Sequence, residues 1–357
     1  MDRVEAARST LDHVLRDLLP VLDDPALTDL YVNGPAEGAI VRDGCKRPFD
    51  HGLSFRDLED VAILAAGLNQ RNDIGPDAPF AGGTLPGGHR VQVVVPPATG
   101  EGKIVLAVRK PSAKAPSMAE RAARGAFAGA VPGSLPRGHG IRSHLLPLYR
   151  TGDYPGFLQA AARAGCNVVF SGEQRTGKTT WLRSLLDCVR VDARTGPVQD
   201  LDEMPNLKQW DRVPLFYSKG AQGASRHGAE ECVHACVRLG VEVLPFQEVR
   251  DGAGYSLLYA MQAGIQLFTT THANSAEDTF CRLASLVKRH PEALAMDEGR
   301  LADQLRSLID VVAFCVRDEH APAGREKYRI EQVWYEPAMR PDAAAVEAEK
   351  EIVHAHA

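Results

Sequence analysis

Hydrophobic residues at helical intervals predict two helices in the first part of the chain. In Val4–Leu22 apolar residues recur along one helical face, and Pro20 with the turn at Asp23–Pro25 ends the segment. A second apolar stripe runs from Ser54 to about Asn69. Both patterns have the period of a helix that buries one side. We therefore predict a leading helix and a second helix packed on a common core.

Shorter apolar runs around the second helix predict strands. TDLYVNG (28–34) and GAIVRDG (38–44) precede this helix and are separated by turn residues, whereas HRVQVVVPP (89–97) and KIVLAVRK (103–110) follow it. Strands joined mostly by turns, with few helices between them, are typical of α+β domains. We predict a small α+β domain over residues 1–110.

The pattern changes after residues 111–145, a segment rich in proline, glycine, alanine and arginine that predicts a linker with a short helix. Beyond it, short apolar runs alternate with helical segments, which is typical of a mostly parallel sheet covered by helices. VVAFCVRD (311–318) and YRIEQVWYEP (328–337) predict an antiparallel hairpin at the edge of that sheet. We predict an α/β domain over residues 146–340 and a polar tail, helical or disordered, over residues 341–357.

Composition restricts the class of protein. The 357 residues allow two domains, and a net charge of −5 with 44% hydrophobic residues indicates neither gross disorder nor a strong field for nucleic acids. The charged first residues lack the apolar core of a secretory signal, and no stretch reaches 18 consecutive apolar residues. The chain is predicted to be soluble and cytoplasmic, with its seven cysteines reduced. Cys232 and Cys236 in CVHAC share a helical face and His234 does not, which favours a buried face over a metal site.

The stretch SGEQRTGKTTW (171–181) carries the strongest chemical signal. It has the glycine, lysine and threonine spacing of a phosphate-binding loop, and it lies between the apolar run VVF and the helical pattern KTTWLRSLL. Backbone N–H groups at the start of that helix would bind the β-phosphate, Lys178 would reach the β- and γ-phosphates, and Thr179 would ligate Mg²⁺. The bulky residues 173–175 are compatible with this site because the loop geometry does not require small side chains there. The predicted nucleotide-binding residues of this segment are Gly172, Gly177, Lys178, Thr179 and Thr180.

Hydrolysis also needs a carboxylate that activates water and a group that senses the γ-phosphate. Glu248 ends the run VEVLPFQE, Glu203 follows a second run in VQDLDEM, and His272 follows a third in TTTHANS. Each of these residues alone would more often be a solvated loop residue. The carboxyl ends of strands in an open parallel sheet are where ligands bind, so together the three predict a catalytic edge beside the phosphate loop.

Four motifs in a fixed order make the chain resemble the hexameric secretion ATPases, which include the motors of type II secretion, type IV pili and type IV secretion. GEQRTGKT resembles their Walker A loop, QDLDEM their Asp box, VEVLPFQEVRDG their Walker B motif and TTTHANSAEDTFCRL their His box. The short chain and the motifs GGTLPGGHRVQVVVPP and IVLAVRKPS are most similar to the short cytoplasmic ATPase of type IV secretion. The resemblance covers about Asp24 to Pro337 and implies a RecA-like fold for the second domain.

The resemblance implies a role for each matching residue. Glu248 would be the main catalytic carboxylate, Glu203 would help to position water or metal, and His272 would report the state of the γ-phosphate. Arg90 and Arg109 match the arginines that neutralise nucleotide charge when the first domain closes, although their pattern alone indicates surface arginines on half-exposed strands. ATP and Mg²⁺ are the implied cofactors.

The resemblance also implies a homohexamer, attached peripherally to the cytoplasmic face of the inner membrane. Its implied partners are channel proteins and a companion ATPase, without direct DNA binding. Two alternatives stay open. In the Walker B segment, Gln247 and Glu242 replace the family's usual glycine and aspartate, and Pro245 lies inside the strand. RDGAGYS, which follows, lacks a glutamate that the family usually has. These differences favour an ATP-binding assembly platform with weak turnover. A RecA-like nucleic-acid motor is disfavoured by the net charge. The sequence leaves the cargo open among protein, DNA and pilin.

Overall fold

The computed structural model describes residues 10–11, 13–16, 18–68, 74–111, 116–128, 130, 145–218, 227–322 and 324–335. These residues form two compact units. The first unit takes its residues from Met1–Leu135, Arg190–Gln247 and Ala263–Ile265, and the second from Pro136–Val189, Glu248–Gln262 and Gln266–Ala357. The described residues between 190 and 247 thus belong to the same unit as the N-terminal residues, whereas the predicted domain limits put them in the second domain. Those limits stay a prediction.

Thirteen strands and ten α-helices are formed by the described residues. The strands are β1 (Leu27–Gly34), β2 (Glu37–Arg42), β3 (Cys45–Pro48), β4 (Phe80–Thr84), β5 (Arg90–Val94), β6 (Val105–Arg109), β7 (Val168–Gly172), β8 (Val198–Gln199), β9 (Leu215–Phe216), β10 (Val243–Phe246), β11 (Gln266–Thr271), β12 (Val311–Arg317) and β13 (Tyr328–Tyr335). The helices are α1 (Leu19–Asp23), α2 (Phe55–Leu68), α3 (Met118–Ala123), α4 (Leu146–Arg150), α5 (Tyr154–Arg163), α6 (Lys178–Leu186), α7 (Ala229–Arg238), α8 (Gly254–Gln262), α9 (Asp278–Val287) and α10 (Glu298–Leu308).

The first unit contains a six-stranded antiparallel sheet in the order β3-β2-β1-β6-β5-β4. The four strands predicted in this region are confirmed as β1, β2, β5 and β6. β3 and β4 were not predicted, because CKRP is polar and FAGGT is rich in glycine, and neither alternates between apolar and polar residues. The same unit also holds β8, which pairs in parallel with β9 and β10.

A hydrophobic core lies under the antiparallel sheet of the first unit. Leu58, Val61 and Ala65 of α2 are buried against it, as the predicted stripe requires. Each buried leucine of this core contributes about 1.5–3 kcal/mol. Thr10, Leu11, His13 and Val14 of the leading segment are helical, and the prediction for residues 4–9 lies outside the described residues. A separate short helix, α1, begins one residue before Pro20, so the prediction that this proline ends the helical segment is wrong: proline fits the first turn of a helix. The short helix predicted in the linker is α3, which starts at a Ser117–Glu120 capping box.

In the second unit the strand order is β13-β12-β7-β11. β7 pairs in parallel with β11 on one side and with β12 on the other, and β13 closes the edge as the antiparallel partner of β12. The predicted hairpin is thereby confirmed. Every residue of β7 is buried, which explains why this strand appears in the sequence as a continuous apolar run. The central position of β7 puts the loop that follows it between the ends of β11 and β12.

Candidate nucleotide-binding and catalytic site

The loop between β7 and α6 has a backbone that its glycines make possible. Gly172 has a φ of 143°, and a Cβ added there would lie 2.2 Å from the carbonyl oxygen of Cys315 on β12. Gly177 has a φ of 80° and precedes the first residue of α6. Both conformations favour glycine, so the loop turns sharply and leaves the N–H groups at the start of α6 free to bind an anion. Residues 173–175 are exposed, in agreement with their bulk, and Arg175 adopts a left-handed conformation with a φ of 63°.

Lys178 is buried within this loop, with 7% of its surface exposed. Its Nζ donates hydrogen bonds to the carbonyl oxygens of Gly172 at 3.0 Å and Glu173 at 2.6 Å. Burial lowers the pKa of Lys178, and the charge of nearby Glu248 opposes this shift. The ammonium group is therefore held inside the loop by two backbone carbonyl oxygens.

Glu248 lies at the end of the chain segment that follows β10. The next residue, Val249, donates its N–H to the carbonyl oxygen of Thr270 at 2.8 Å, which fixes the glutamate beside β11. One carboxylate oxygen forms an ion pair with Arg250, and the other, Oε1, lies 2.9 Å from Nε2 of His272. Oε1 is buried but receives no hydrogen bond of good geometry from the described residues. It is therefore an available acceptor in a largely desolvated position.

His272 follows β11 and links the carboxylate to the loop. Its Nδ1 lies 3.2 Å from the carbonyl oxygen of Gly172 and 3.3 Å from Nζ of Lys178, while Nε2 faces Glu248. A protonated Nδ1 donates to the carbonyl, whereas an unprotonated Nδ1 accepts from the lysine. The imidazole therefore joins the acid and the phosphate loop, and its contacts depend on which nitrogen carries the proton.

These side chains surround one cleft of about 270 Å³. Its lining residues are Gln174, Arg175, Thr176, Gly177, Lys178, Thr179, Thr180, Glu248, Arg250, Thr270 and His272. The hydroxyl of Thr179 and the free oxygen of Glu248 are hard oxygen donors of the kind that Mg²⁺ prefers, so the residues fit a nucleotide bound with that ion. The cleft brings together Lys178, Thr179, Glu248 and His272, which the sequence predicts from separate segments.

Glu203, the second predicted acid, lies in the first unit and is exposed. Its loop is fixed by two buried glutamines. Gln199 accepts the N–H of Glu203 at 3.1 Å and donates to Asp202 at 2.9 Å, and Gln247 accepts the N–H of Asp200 at 2.8 Å. The unusual Gln247 thus has a local structural role, because a glycine there would offer no acceptor to Asp200.

Arg90 and Arg109 also lie in the first unit, where they are directly opposite each other on β5 and β6. They line a cavity of about 360 Å³ together with Arg238 of α7. Asp29 holds the Nε of Arg109 at 3.0 Å and raises the pKa of this arginine. Three arginines and one carboxylate, that of Asp29, line the cavity, so its net charge is positive and suited to phosphate oxygens.

Sequence reasoning missed the role of Arg250 in the cleft and a contact between α9 and β7. Arg250 stands two residues after Glu248, and this spacing in QEVRDG was the available signal for a partner of the carboxylate. Thr279 of α9 donates a hydrogen bond of 2.8 Å to the hydroxyl of Ser171 at the end of β7. This contact ties the strand before the loop to the helix that begins within the His box, and no local sequence pattern indicates it.

The fold and the cleft define a P-loop nucleotide-binding protein, and comparisons with known proteins refine that class. A family model described as type II/IV secretion system protein matches residues 149–338, more than half of the chain. The chain is 29% identical over 351 residues to the type IV secretion system protein VirB11 of Brucella suis, covering 97% of this chain and 96% of that protein. It is 28% identical over 310 residues to protein VirB11 of Agrobacterium fabrum, covering 84% and 87%.

A solved structure gives the same result for the fold. The crystal structure of the VirB11 ATPase from the Brucella suis type IV secretion system, in complex with sulphate, matches with a TM-score of 0.85 and 28% identity, covering 94% of this chain and 97% of that one. The predicted α/β, RecA-like fold is confirmed. The chain belongs to the type II/IV secretion system protein family, and it is a secretion ATPase. No described helix has the length and apolar character needed to cross a membrane.

Proposed function

We propose that this chain is a ring-forming motor that hydrolyses ATP with Mg²⁺ to drive a type IV secretion system. The observation that carries the proposal is the continuous set of contacts from Lys178 through His272 to Glu248 in one cleft. It combines a phosphate-binding cation, a linking imidazole and a carboxylate whose Oε1 lacks a well-formed hydrogen bond from the described residues. These are the groups that phosphoryl transfer to water requires.

Each residue of the cleft has a defined task in this proposal. Lys178 exchanges the carbonyl oxygens of its own loop for the β- and γ-phosphate oxygens, which makes stronger, charge-assisted hydrogen bonds. Thr179 ligates Mg²⁺, which would neutralise phosphate charge when bound with the nucleotide. Glu248 orients the attacking water and accepts its proton through Oε1.

His272 is proposed to report on the γ-phosphate. When Lys178 turns to the phosphates, Nδ1 of His272 loses a neighbour and retains the carbonyl of Gly172. The carbonyl then favours the ring tautomer that carries its proton on Nδ1, which alters the contact of Nε2 with Glu248. Arg90 and Arg109 are proposed to supply further positive charge to the nucleotide, and Glu203 to assist in positioning water or metal.

The relatives support a wider set of proposals. VirB11 of Brucella suis is a type IV secretion system protein, and its crystal structure is that of an ATPase. We propose by this similarity a homohexamer at the cytoplasmic face of the inner membrane, in contact with channel proteins and a companion ATPase, and without direct DNA binding. The proposed chemistry of the cleft is the same whether the cargo is protein, DNA or pilin.

Steady-state ATP hydrolysis by the purified protein tests the proposal, with native mass measured on the same sample. We expect turnover in a hexamer, and a fall of about 10²–10³ in kcat for Lys178→Ala, the size expected when one electrostatic stabiliser is lost. Lys288→Ala, which removes a lysine just beyond α9, is the matched control and should retain wild-type turnover. Tight ATP binding by the wild type without turnover would favour the alternative of an assembly platform. Absence of ATP binding would contradict both.

A further inference from the structure

An aromatic side chain lies beside the phosphate loop on the side away from the catalytic groups. Tyr328 is the first residue of β13 and pairs with Arg317, the last residue of β12. Cys315 of β12 is level with Gly172, where the loop begins. Arg317 and Tyr328 therefore stand about 7 Å beyond Gly172 along the strand direction, since a strand advances about 3.3 Å per residue. This distance places Tyr328 level with the loop itself.

Contact with the loop confirms this position. A Cβ added to Gly177 would lie 3.3 Å from Cβ, Cγ and Cδ1 of Tyr328, so the ring of the tyrosine packs next to the glycine that precedes α6. The side chain is nevertheless only partly covered, with 39% of its surface exposed. A large aromatic group at this point has an uncovered surface directly beside the predicted phosphate site.

The direction of a bound nucleotide follows from the two sides of β7. Glu248 and His272 stand on the side of β11, so the γ-phosphate, where water attacks, must point to that side. The α-phosphate and the sugar then leave the loop on the opposite side, where β12 ends and β13 begins. The base of the nucleotide is thereby directed toward Tyr328.

We propose that Tyr328 is the platform on which the purine base of ATP stacks. The proposal rests on the proposed function, because it assumes that the loop holds the phosphates. Every base has a π face, and stacking on an aromatic side chain does not depend on its hydrogen-bonding groups. The guanidinium of Arg317 lies 5.9 Å from the centre of the ring, and Glu319 holds its Nε at 3.1 Å, so positive charge is kept near the platform.

Calorimetric titration with Mg·ADP and with Mg·pyrophosphate separates the base from the phosphates. Tyr328→Leu keeps an apolar side chain against Gly177 but removes the π face. We expect it to weaken ADP binding about tenfold, as loss of one base stacking does, and to leave pyrophosphate binding unchanged. Tyr328→Trp should bind ADP at least as tightly as the wild type, with quenching of the new indole fluorescence by ADP and not by pyrophosphate. Tyr259→Leu, at an exposed tyrosine of α8, is the matched control and should change neither affinity.

The outcomes distinguish this proposal from the one on which it rests. Unchanged ADP affinity in Tyr328→Leu would overturn the platform. An equal loss of ADP and pyrophosphate binding would overturn it too, because the tyrosine would then act by shaping the loop through Gly177. If the wild type bound neither ligand, the phosphate site itself would be wrong. Circular dichroism of each variant shows whether the fold is kept.

Discussion

Two regions of the molecule bring a cation and a carboxylate close together, and they do so in different ways. In the first unit, Arg194 and Asp211 are completely buried and form an ion pair. In the cleft of the second unit, Lys178 and Glu248 are both close to His272 but do not pair directly in a fixed salt bridge. The first arrangement is closed to solvent, and the second lines a cleft that has room for a ligand.

The pair in the first unit has partners on several sides, although Nη2 of Arg194 and Oδ2 of Asp211 lack a well-formed hydrogen bond from the described residues. Arg194 donates to Asn33 at 2.9 Å and to the carbonyl oxygen of Leu239 at 2.8 Å, and its guanidinium lies 4.0 Å from the centre of the Tyr31 ring. Asp211 also lies 3.0 Å from Nζ of Lys46. Such a buried pair fixes the geometry of its surroundings, because either charge alone would be strongly destabilised.

The groups of the cleft instead face a space that a ligand can enter. Lys178 is bound to carbonyl oxygens of its own loop, and Oε1 of Glu248 receives no good hydrogen bond. Phosphate and water can therefore replace the present contacts with better ones. Both regions contain buried polar atoms without a well-formed hydrogen bond in the described part of the chain, so such atoms do not by themselves identify a catalytic site. In the second unit they line a cleft that a ligand can enter.

Removal of one partner of the buried pair should have the largest effect on stability. Arg194→Met leaves Asp211 charged and buried, and we expect the free energy of unfolding to fall by about 3–5 kcal/mol. Urea unfolding at pH 7 measures it. The double variant Arg194→Met/Asp211→Leu should recover a large part of the loss, since both charges are then gone. A fall below about 1 kcal/mol for Arg194→Met would contradict the account of this pair.

A methyl group at the first glycine of the phosphate loop should have the next largest effect. Gly172→Ala puts a Cβ against the carbonyl oxygen of Cys315 and requires a strained φ, so we expect a loss of about 2–4 kcal/mol and weaker ATP binding. Gly165→Ala is the matched control, because Gly165 has a φ of 79° but open space around it. It should lose about 1 kcal/mol and keep ATP binding. Equal losses in the two variants would show that the contact with β12 is unimportant.

Acid should weaken the contribution of Asp211 selectively. Burial raises the pKa of this carboxyl, but Arg194 and Lys46 outweigh burial and hold the pKa below its usual value. A lowered pKa in the folded state stabilises the fold above the unfolded value of about 3.9, and this stabilisation disappears as the pH falls through the folded-state pKa. Asp211→Asn should therefore destabilise the protein clearly at pH 7 and progressively less below about pH 4. A difference from the wild type that stays constant between pH 7 and pH 3 would contradict this.

Neutralisation of the lysine in the cleft should have the smallest effect on stability. Burial lowers the pKa of Lys178, so the fold gains little from this charge, and Lys178→Met should leave the free energy of unfolding within about 1 kcal/mol of the wild type or raise it. Urea unfolding of Lys178→Met and of Arg194→Met under the same conditions measures the difference in stability between the two variants. A loss as large as that of Arg194→Met would remove the distinction between the two regions.

The sequence predicts the cleft better than the buried pair. The loop glycines, Lys178, Glu248 and His272 follow apolar strands in a recognisable order, because a nucleotide site needs particular groups at the ends of neighbouring strands. Arg194 and Asp211 lie in no motif, and their partners come from β1 and β3, which are distant in sequence. β3 and β4 could not be predicted for a related reason. They are strands because they pair with β2 and β5 in the sheet, and their own residues show no strand pattern.

Hydrolysis and binding of ATP by Glu248→Gln test the central claim most directly. The substitution keeps the shape of the side chain but removes its ability to accept a proton from water. We predict that the variant binds Mg·ATP as tightly as the wild type, while its single-turnover rate of hydrolysis falls by about 10²-fold or more. Hydrolysis at the wild-type rate would contradict the assignment of Glu248 as the catalytic carboxylate and with it the proposed chemistry of the cleft.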